Sequence, residues 1–297
     1  MITKTIEALI TAALREDMPH GDITSESLVP RKSLSRALLV AKAPGVLAGI
    51  DVARRVFLRL DPDTSFNVLV RDGERFQPGE VLAEIEGQSV VLLEAERTAL
   101  NFVQRMSGIA TTTRMYVDAV AGTKAKILDT RKTTPGLREL EKYAVRMGGG
   151  ENHRRSLSDM VLIKDNHLMI VGDIGLAVAR ARKNVGRKVL VEVEVASFAQ
   201  ARTAVAAGAD WVMLDNMTPA EMKRVVAWVK GRVKIEASGN VDLNSVRKIA
   251  ALGVDFISVG RLTHSYASVD LSLEFLGGPR RAAKGMKLSA AKREAGS

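Results

Sequence analysis

From Lys124 onward, six short apolar runs rich in β-branched residues alternate with helical stretches. They cover 126–129, 159–163, 188–195, 211–214, 233–236 and 256–259. The last three begin about 22 residues apart, room for a strand, a helix and two short loops. Ser197 to Gly208 and Leu243 to Gly253 read as crossover helices that stop at a glycine. Thr218-Pro-Ala-Glu221 starts another, with Thr at the N-cap, Pro at N1 and Glu at N3. Repeated βα units with short connections predict an α/β barrel over an open sheet. Six strands fall short of eight, so an incomplete (β/α) barrel is among the expected closures. No Gly-x-Gly-x-x-Gly or Walker loop follows any run, which argues against a dinucleotide fold or an NTPase.

The first ~110 residues have a different rhythm, mixing helix and strand. Ile2, Ile6, Leu9, Ile10, Ala13 and Leu14 make one apolar face of an N-terminal helix, and Glu7 interrupts any signal-peptide core. Residues 35–42 and 65–71 are strand-like, with Pro44-Gly45 and Asp72-Gly73 as turns. Residues 72–86 have the turn–strand rhythm of lipoyl and biotinyl carriers. Their turns lack the lysine such carriers need, so this is a β-module used as structure. A long helix begins at Glu94, with Leu100, Val103, Met106, Ile109 and Ala110 as its apolar stripe. Arg97 falls in its first turns, where a cation works against the helix dipole. It is either a surface residue or a charge presented to a ligand.

The net charge of +10 raises nucleic acid as a partner. Six of the cations (Arg280, Arg281, Lys284, Lys287, Lys292 and Arg293) sit in 277–297 against Glu294 alone. That tail has no aromatics and no clear apolar face, so it reads as solvated chain. Aromatic residues make up only 4% of the whole, too few for base-stacking platforms, and nucleic acid is not the expected partner. Cysteine is absent, which removes disulfides, thiolate nucleophiles and zinc–thiolate sites and fits a reducing, cytoplasmic setting. No apolar run approaches the ~20 residues of a membrane span.

Chemistry in such barrels sits on the loops after the strand C-termini. The first run ends in Thr130, Arg131 and Lys132, the second in Lys164, Asp165, Asn166 and His167, and Asn152-His153-Arg154-Arg155 lies between them. Three cationic clusters in one short region predict a site for an anionic ligand. The third run alternates acids with valines, so Glu192 and Glu194 face the same side. Glu194 and Asp215 are oxygen ligands suited to a hydrated Mg²⁺, the alternative being internal salt bridges to Lys132 or Lys164. Ser238-Gly239-Asn240 and Ser258-Val259-Gly260, each ahead of a helix, offer small residues whose backbone N–H groups can close on a phosphate. Of the four histidines, His153 is the best placed to touch a ligand. His20 and His167 read as loop structure and His264 as ordering the last loop.

Three long stretches (128–138, 141–154 and 159–167) closely resemble the quinolinate phosphoribosyltransferases. Shorter matches follow in the same order: 21–24, 96–98, 192–194, 214–216, 236–239 and 260–265. The resemblance implies an incomplete (β/α) barrel with an N-terminal mixed α/β sandwich domain. The expected boundaries are 1–110 for the sandwich, 111–265 for the barrel, 266–276 for a return segment and 277–297 for the tail. It implies phosphoribosyl transfer from phosphoribosyl pyrophosphate to quinolinate with Mg²⁺, giving nicotinate mononucleotide, pyrophosphate and CO₂. It also implies a homodimer or higher homo-oligomer with shared sites, the N-terminal domain capping the partner's barrel. Arg131, Arg154 and Lys164 would grip quinolinate, aided by Thr130 and His153, with Arg97 reaching in from the other subunit. Lys132 would contact the phosphoribosyl donor, Glu194 and Asp215 would serve its Mg²⁺ and ribose, and Ser238, Gly239, Asn240, Ser258, Val259 and Gly260 would hold its phosphate. Arg131, Lys132, Lys164, Glu194 and Asp215 form the expected catalytic set. A related molybdenum-transport-associated protein has similar motifs, and 141–146 with 151–154 favour quinolinate. Asn240 stands where the family often has glycine, and Arg261 where a small residue is common.

Overall fold

The computed structural model describes residues 2–30, 32–276 and 287–288; the basic stretch 277–297 lies outside them, Lys287 and Leu288 apart. The chain opens with α1 (Lys4–Asp17), α2 (Ile23–Leu28), β1 (Leu34–Ala41), β2 (Gly45–Val46), α3 (Ile50–Leu60) and β3 (Ser65–Val68). It continues with β4 (Arg75–Phe76), β5 (Glu80–Gln88), α4 (Ser89–Ala119), β6 (Lys126–Leu128), α5 (Arg138–Met147) and β7 (Val161–Ile163). Next come α6 (Asp165–Val171), α7 (Ile174–Val185), β8 (Val191–Val195), α8 (Phe198–Ala206), β9 (Trp211–Asp215) and α9 (Pro219–Val229). The last elements are β10 (Lys234–Ser238), α10 (Val246–Ala250), β11 (Phe256–Ser258), α11 (Arg261–His264), β12 (Leu271–Phe275) and β13 (Lys287–Leu288). Among the described residues no helix is long and apolar enough to cross a membrane.

The chain divides into two compact units. The first holds Met1–Thr112, Pro135–Gly149 and Tyr266–Ser297. Its sheet runs β12-β1-β5-β13, with β3 also on β5. β12 lies antiparallel to β1, from Ala37↔Phe275 to Ala41↔Leu271. Residues 37–41 of β1 are buried without alternation, as expected of a strand covered on both faces. Thr3 caps α1 at Ile6 N, and Ile6, Ile10 and Leu14 form its buried stripe. Gly49, at φ 94°, has no side chain to cap α3. Asp72 supplies the cap instead, accepting from Gly49 N (2.9 Å) and Ile50 N (3.1 Å), and also takes the Tyr143 hydroxyl at 2.7 Å.

Two boundaries differ from the sequence reading. Helix α4 begins at Ser89, not Glu94, because β5 runs directly into it. Arg97 is therefore two turns inside, past the reach of the helix dipole, and its position there is not opposed by it. Pro135–Gly149, read as part of the barrel, belongs to the first unit. Leu140 and Tyr143 of α5 meet Ile6, Val52, Asp72 and Met106 there, and Arg105 pairs with the fully buried Glu141 at 2.5 Å.

The second unit, Thr113–Thr134 and Gly150–Ser265, is the incomplete barrel. Six parallel strands run β6-β11-β10-β9-β8-β7, all six where the apolar runs placed them. Asp173, Ser197 and Thr218 cap α7, α8 and α9, and the Thr218–Glu221 capping box forms as expected. Asp210 and Asp255, each just before a strand, repeat one device. Asp210 accepts from Val191 N (2.7 Å) and Asp255 from Ile235 N (3.0 Å), tying each strand's start to its neighbour. Burial would raise the Asp255 carboxyl, but the Ile235 backbone bond, with Lys124 beside it, holds it below the usual range. Glu151 N donates to Ile127 O (2.8 Å) and Asp129 N to Glu151 O (3.2 Å), adding one parallel bridge beside β6.

Candidate active site

Strand alternation decides what the barrel's interior contains. Register pairs Glu192 with Trp211, Glu194 and Glu236 with Met213, and Asp215 with Ser238. Each successive layer therefore carries an acid, Glu192 beside Trp211, then Glu194 and Glu236 beside Met213 and Phe256, then Asp215 beside Ser238 toward the C-terminal strand ends. There a cavity of about 820 Å³ opens. Thr130, Arg131, Lys132, His153, Arg154, Lys164, Glu194, Asp215, Ser238, Gly239, Asn240, Ser258 and Gly260 all line it. Two expected residues do not. Val259 is buried and spends its N–H on Leu128 O at 2.9 Å, so it seals β11 to β6 instead of facing a phosphate. Arg97 belongs to the first unit, where it is exposed.

The cationic side is built on Asp129, which is fully buried at the end of β6. It accepts from Asn152 Nδ2 (2.5 Å) and His153 N (2.9 Å), fastening the second cationic cluster to the first strand. Thr130 Oγ1 accepts from Lys132 N at 3.1 Å, and Thr263 Oγ1 donates to Lys132 O at 2.8 Å, so the loop carrying Arg131 is held at both ends. Arg131 Nε is buried without a hydrogen-bond partner. Arg154 gives Nη1 to Met160 O at 3.3 Å. Burial, and then the Arg131 charge, pull the Arg154 guanidinium below its ordinary value. Two neighbouring cations, one with an orphaned donor, form a site complementary to carboxylates.

Beneath them lies a buried ion cluster. His153 Nε2 is 2.9 Å from Glu192 Oε2 and 3.4 Å from Glu236 Oε2. Burial alone would lower the imidazole, but its contacts with the Glu192 and Glu236 carboxylates more than reverse it, pushing His153 up to about 10. Burial, reinforced by Glu236, drives Glu192 upward. These three groups lie close enough for a metal, their ligand atoms within 4.8 Å of one another. The 2.9 Å contact to Glu192 is a hydrogen bond, and the 3.4 Å contact to Glu236 is an ion-pair distance. Glu236 ends the apolar run 233–236, but sequence gave it no role, because its partner His153 lies more than eighty residues away.

On the opposite side, Lys164 Nζ contacts Glu194 Oε2 at 2.9 Å, the internal salt bridge that competes with a metal role. Asp215 Oδ2 accepts from Asn216 Nδ2 at 2.9 Å. Both carboxylates line the cavity, and hard oxygen donors of this kind suit Mg²⁺ with its waters. The loop after β10 turns through Gly239 (φ 94°) and Asn240 (φ 48°), and asparagine, standing where the family often has glycine, is a residue that tolerates this left-handed backbone. A Cβ on Gly239 would lie 2.2 Å from Asn216 Oδ1. Helix α10 starts only at Val246, so this loop does not lead straight into a helix; the Ser258 loop runs directly into the single turn of α11. Arg261, where a small residue is common in the family, lines the cavity and adds a cation to it, and His264, read from sequence as ordering the last loop, lines it as well.

Comparison with known proteins is decisive here. The family model "Quinolinate phosphoribosyl transferase, C-terminal domain" matches residues 109–274, and the N-terminal domain model matches 22–107. The chain belongs to the quinolinate phosphoribosyltransferase family. A probable nicotinate-nucleotide pyrophosphorylase (carboxylating) of Bacillus subtilis (strain 168) is 43% identical over 269 residues, 91% of this chain and 93% of that one. A nicotinate-nucleotide pyrophosphorylase (carboxylating) of Mycobacterium leprae (strain TN) is 44% identical over 271 residues, 89% of this chain and 95% of that one. The crystal structure of NadC from Streptococcus pyogenes superposes with a TM-score of 0.88 at 43% identity, covering 91% of this chain and 97% of that one. Family membership accounts for the two-domain α/β architecture.

Gly239→Ala tests the loop geometry. Left-handed strain of about 1–3 kcal/mol, added to the Asn216 clash, should lower the melting temperature and displace Asn216 in a crystal structure of the variant. An unshifted melting temperature with Asn216 in place would show that the loop does not need glycine.

Proposed function

We propose that this chain transfers the phosphoribosyl group of phosphoribosyl pyrophosphate to quinolinate and releases CO₂, giving nicotinate mononucleotide and pyrophosphate for NAD biosynthesis. The observation that carries the reading is the Arg131–Arg154 pair, two cations in one partly dehydrated cavity with Arg131 Nε unpartnered. It suits a rigid dicarboxylate. The names of the relatives point to the same reaction. Arg131, Arg154 and Lys164 take the carboxylates, with Thr130 holding the loop and His153 beneath. Lys132 and Arg261 face the phosphoribosyl donor, and the Ser238-Gly239-Asn240 loop with Ser258 and Gly260 takes its 5′-phosphate.

Rate enhancement comes from position and charge, without a covalent nucleophile. Both substrates are polyanions that repel in water, and the cations cancel that repulsion while setting the ring nitrogen against the ribosyl carbon. Mg²⁺ supplies charge neutralisation of the pyrophosphate when bound, with Glu194 and Asp215 as its protein contacts. Once ribosylated, the cationic ring withdraws electrons from the departing carboxylate. The working form is a cytoplasmic homodimer or higher homo-oligomer in which Arg97 enters the partner's site.

Protein, Mg²⁺, quinolinate and phosphoribosyl pyrophosphate mixed together should yield nicotinate mononucleotide. Arg131→Ala should raise KM for quinolinate at least about tenfold, the loss of one charge-assisted contact, with the fold intact by circular dichroism. Product from nicotinate but none from quinolinate would sink the carboxylating assignment. Mixing inactive Arg97→Ala with inactive Arg154→Ala should restore part of the activity by subunit exchange. No recovery despite exchange shown by mass spectrometry would count against shared sites.

A further inference from the structure

Strand β7 is an end strand of the barrel sheet, and its ladder with β8 stops at Ile163↔Val193. Lys164 is the next residue, so its backbone has already left the sheet. Its ammonium nevertheless lines the cavity and meets Glu194 Oε2 at 2.9 Å. Helix α6 starts immediately afterwards and has no buried residue; Met169 and Ile170 are exposed. Packing therefore does little to fix the turn from β7 into α6. Two hydrogen bonds fix it. Leu168 N donates to Lys164 O at 3.0 Å, and Lys164 N donates to His167 Nδ1 at 2.9 Å. His167 stands at N3 of the helix, where a side-chain acceptor takes the N-cap N–H, a place usually held by Glu or Gln. It is not among the residues that line the cavity. Asp165 already accepts from Asn166 N at 2.7 Å, which leaves His167 as the acceptor for the Lys164 N–H. A lysine stem is flexible, and the Glu194 contact can be kept from many backbone positions. Only a fixed backbone sets where the ammonium stands relative to a second anion.

We propose that His167 is a positioning residue of the carboxylate grip: by holding the Lys164 N–H, it fixes the point from which Lys164 reaches a carboxylate of quinolinate. The inference rests on the quinolinate reading above. His167 touches no substrate and moves no proton; it acts through Lys164. Without its acceptor the first turn of α6 frays, and Lys164 is released from its extended conformation (φ −112°, ψ 170°). The ammonium then settles on Glu194 and stands away from the substrate.

The test uses full-length protein, with quinolinate binding followed by calorimetry and turnover measured with Mg²⁺ and phosphoribosyl pyrophosphate. In His167→Ala, Kd and KM for quinolinate should rise about tenfold, the loss of one charge-assisted contact, while KM for phosphoribosyl pyrophosphate stays within about threefold. His167→Gln keeps an acceptor at N3 and should bind quinolinate within about threefold of the wild type. A double-mutant cycle shows the route: on a Lys164→Met background, His167→Ala should change quinolinate affinity by less than about twofold. Unchanged affinity in His167→Ala, no rescue by His167→Gln, or a full loss that persists without the lysine ammonium would each overturn the proposal. So would failure of His167→Ala to fold, since the helix it caps has no buried residue and the role would then be structural. Wild-type protein that neither binds nor turns over quinolinate would instead sink the parent reading, which a silent His167→Ala leaves untouched.

Discussion

Two guanidinium groups, Arg131 and Arg154, are held in one partly dehydrated cavity, where burial and then the Arg131 charge raise the cost of charging Arg154. Much of the barrel's upper rim serves to keep them there. Asp129 fixes the backbone of His153 and the side chain of Asn152, and the bridge at Leu128 and Glu151 binds the same segment to β6. Thr130 and Thr263 hold the loop that carries Arg131. Neighbouring hydrogen bonds thus hold the two cations together, and under the proposed function a ligand with two adjacent carboxylates would relieve their repulsion.

The acids inside the barrel balance that charge without cancelling it. Glu192 and Glu236 meet His153, and Glu194 pairs with Lys164; of the three, Glu192 also offsets part of the Arg154 charge. On the far side, the left-handed turns at Asn216, Gly239 and Asn240 interlock through short polar side chains. That leaves small residues facing the cavity where a phosphate needs backbone N–H groups. The barrel therefore carries its paired cations and its small-residue loops apart on a single layer of strand ends, which is what the proposed carboxylate and phosphate sites would need.

Much of this was legible because it is local. Apolar runs mark all six barrel strands, their polar ends mark the cavity, and Thr218-Pro-Ala-Glu221 specifies its own capping box. Asn240 was legible for the same reason, since its backbone conformation is a property of one residue. Pairings between distant segments were not. Nothing near Glu236 announces that its partner is His153, and nothing in 135–149 shows that Tyr143 will bond Asp72 and carry that stretch into the first unit. The start of α4 was misplaced because apolar β5 passes into the helix without a turn signal, which also misdirected the dipole argument about Arg97. Val259 was misread since a strand-end N–H looks available until its neighbouring strand is known.

Calorimetric titration of the full-length protein with pyridine-2,3-dicarboxylate and with pyridine-3-carboxylate tests the central claim most directly. If the paired arginines are built for two adjacent carboxylates, the dicarboxylate binds at least about tenfold more tightly, the equivalent of about 1.4 kcal/mol. Equal affinities for the two would mean that the cavity does not read the second carboxylate, and the account of its charges would be wrong.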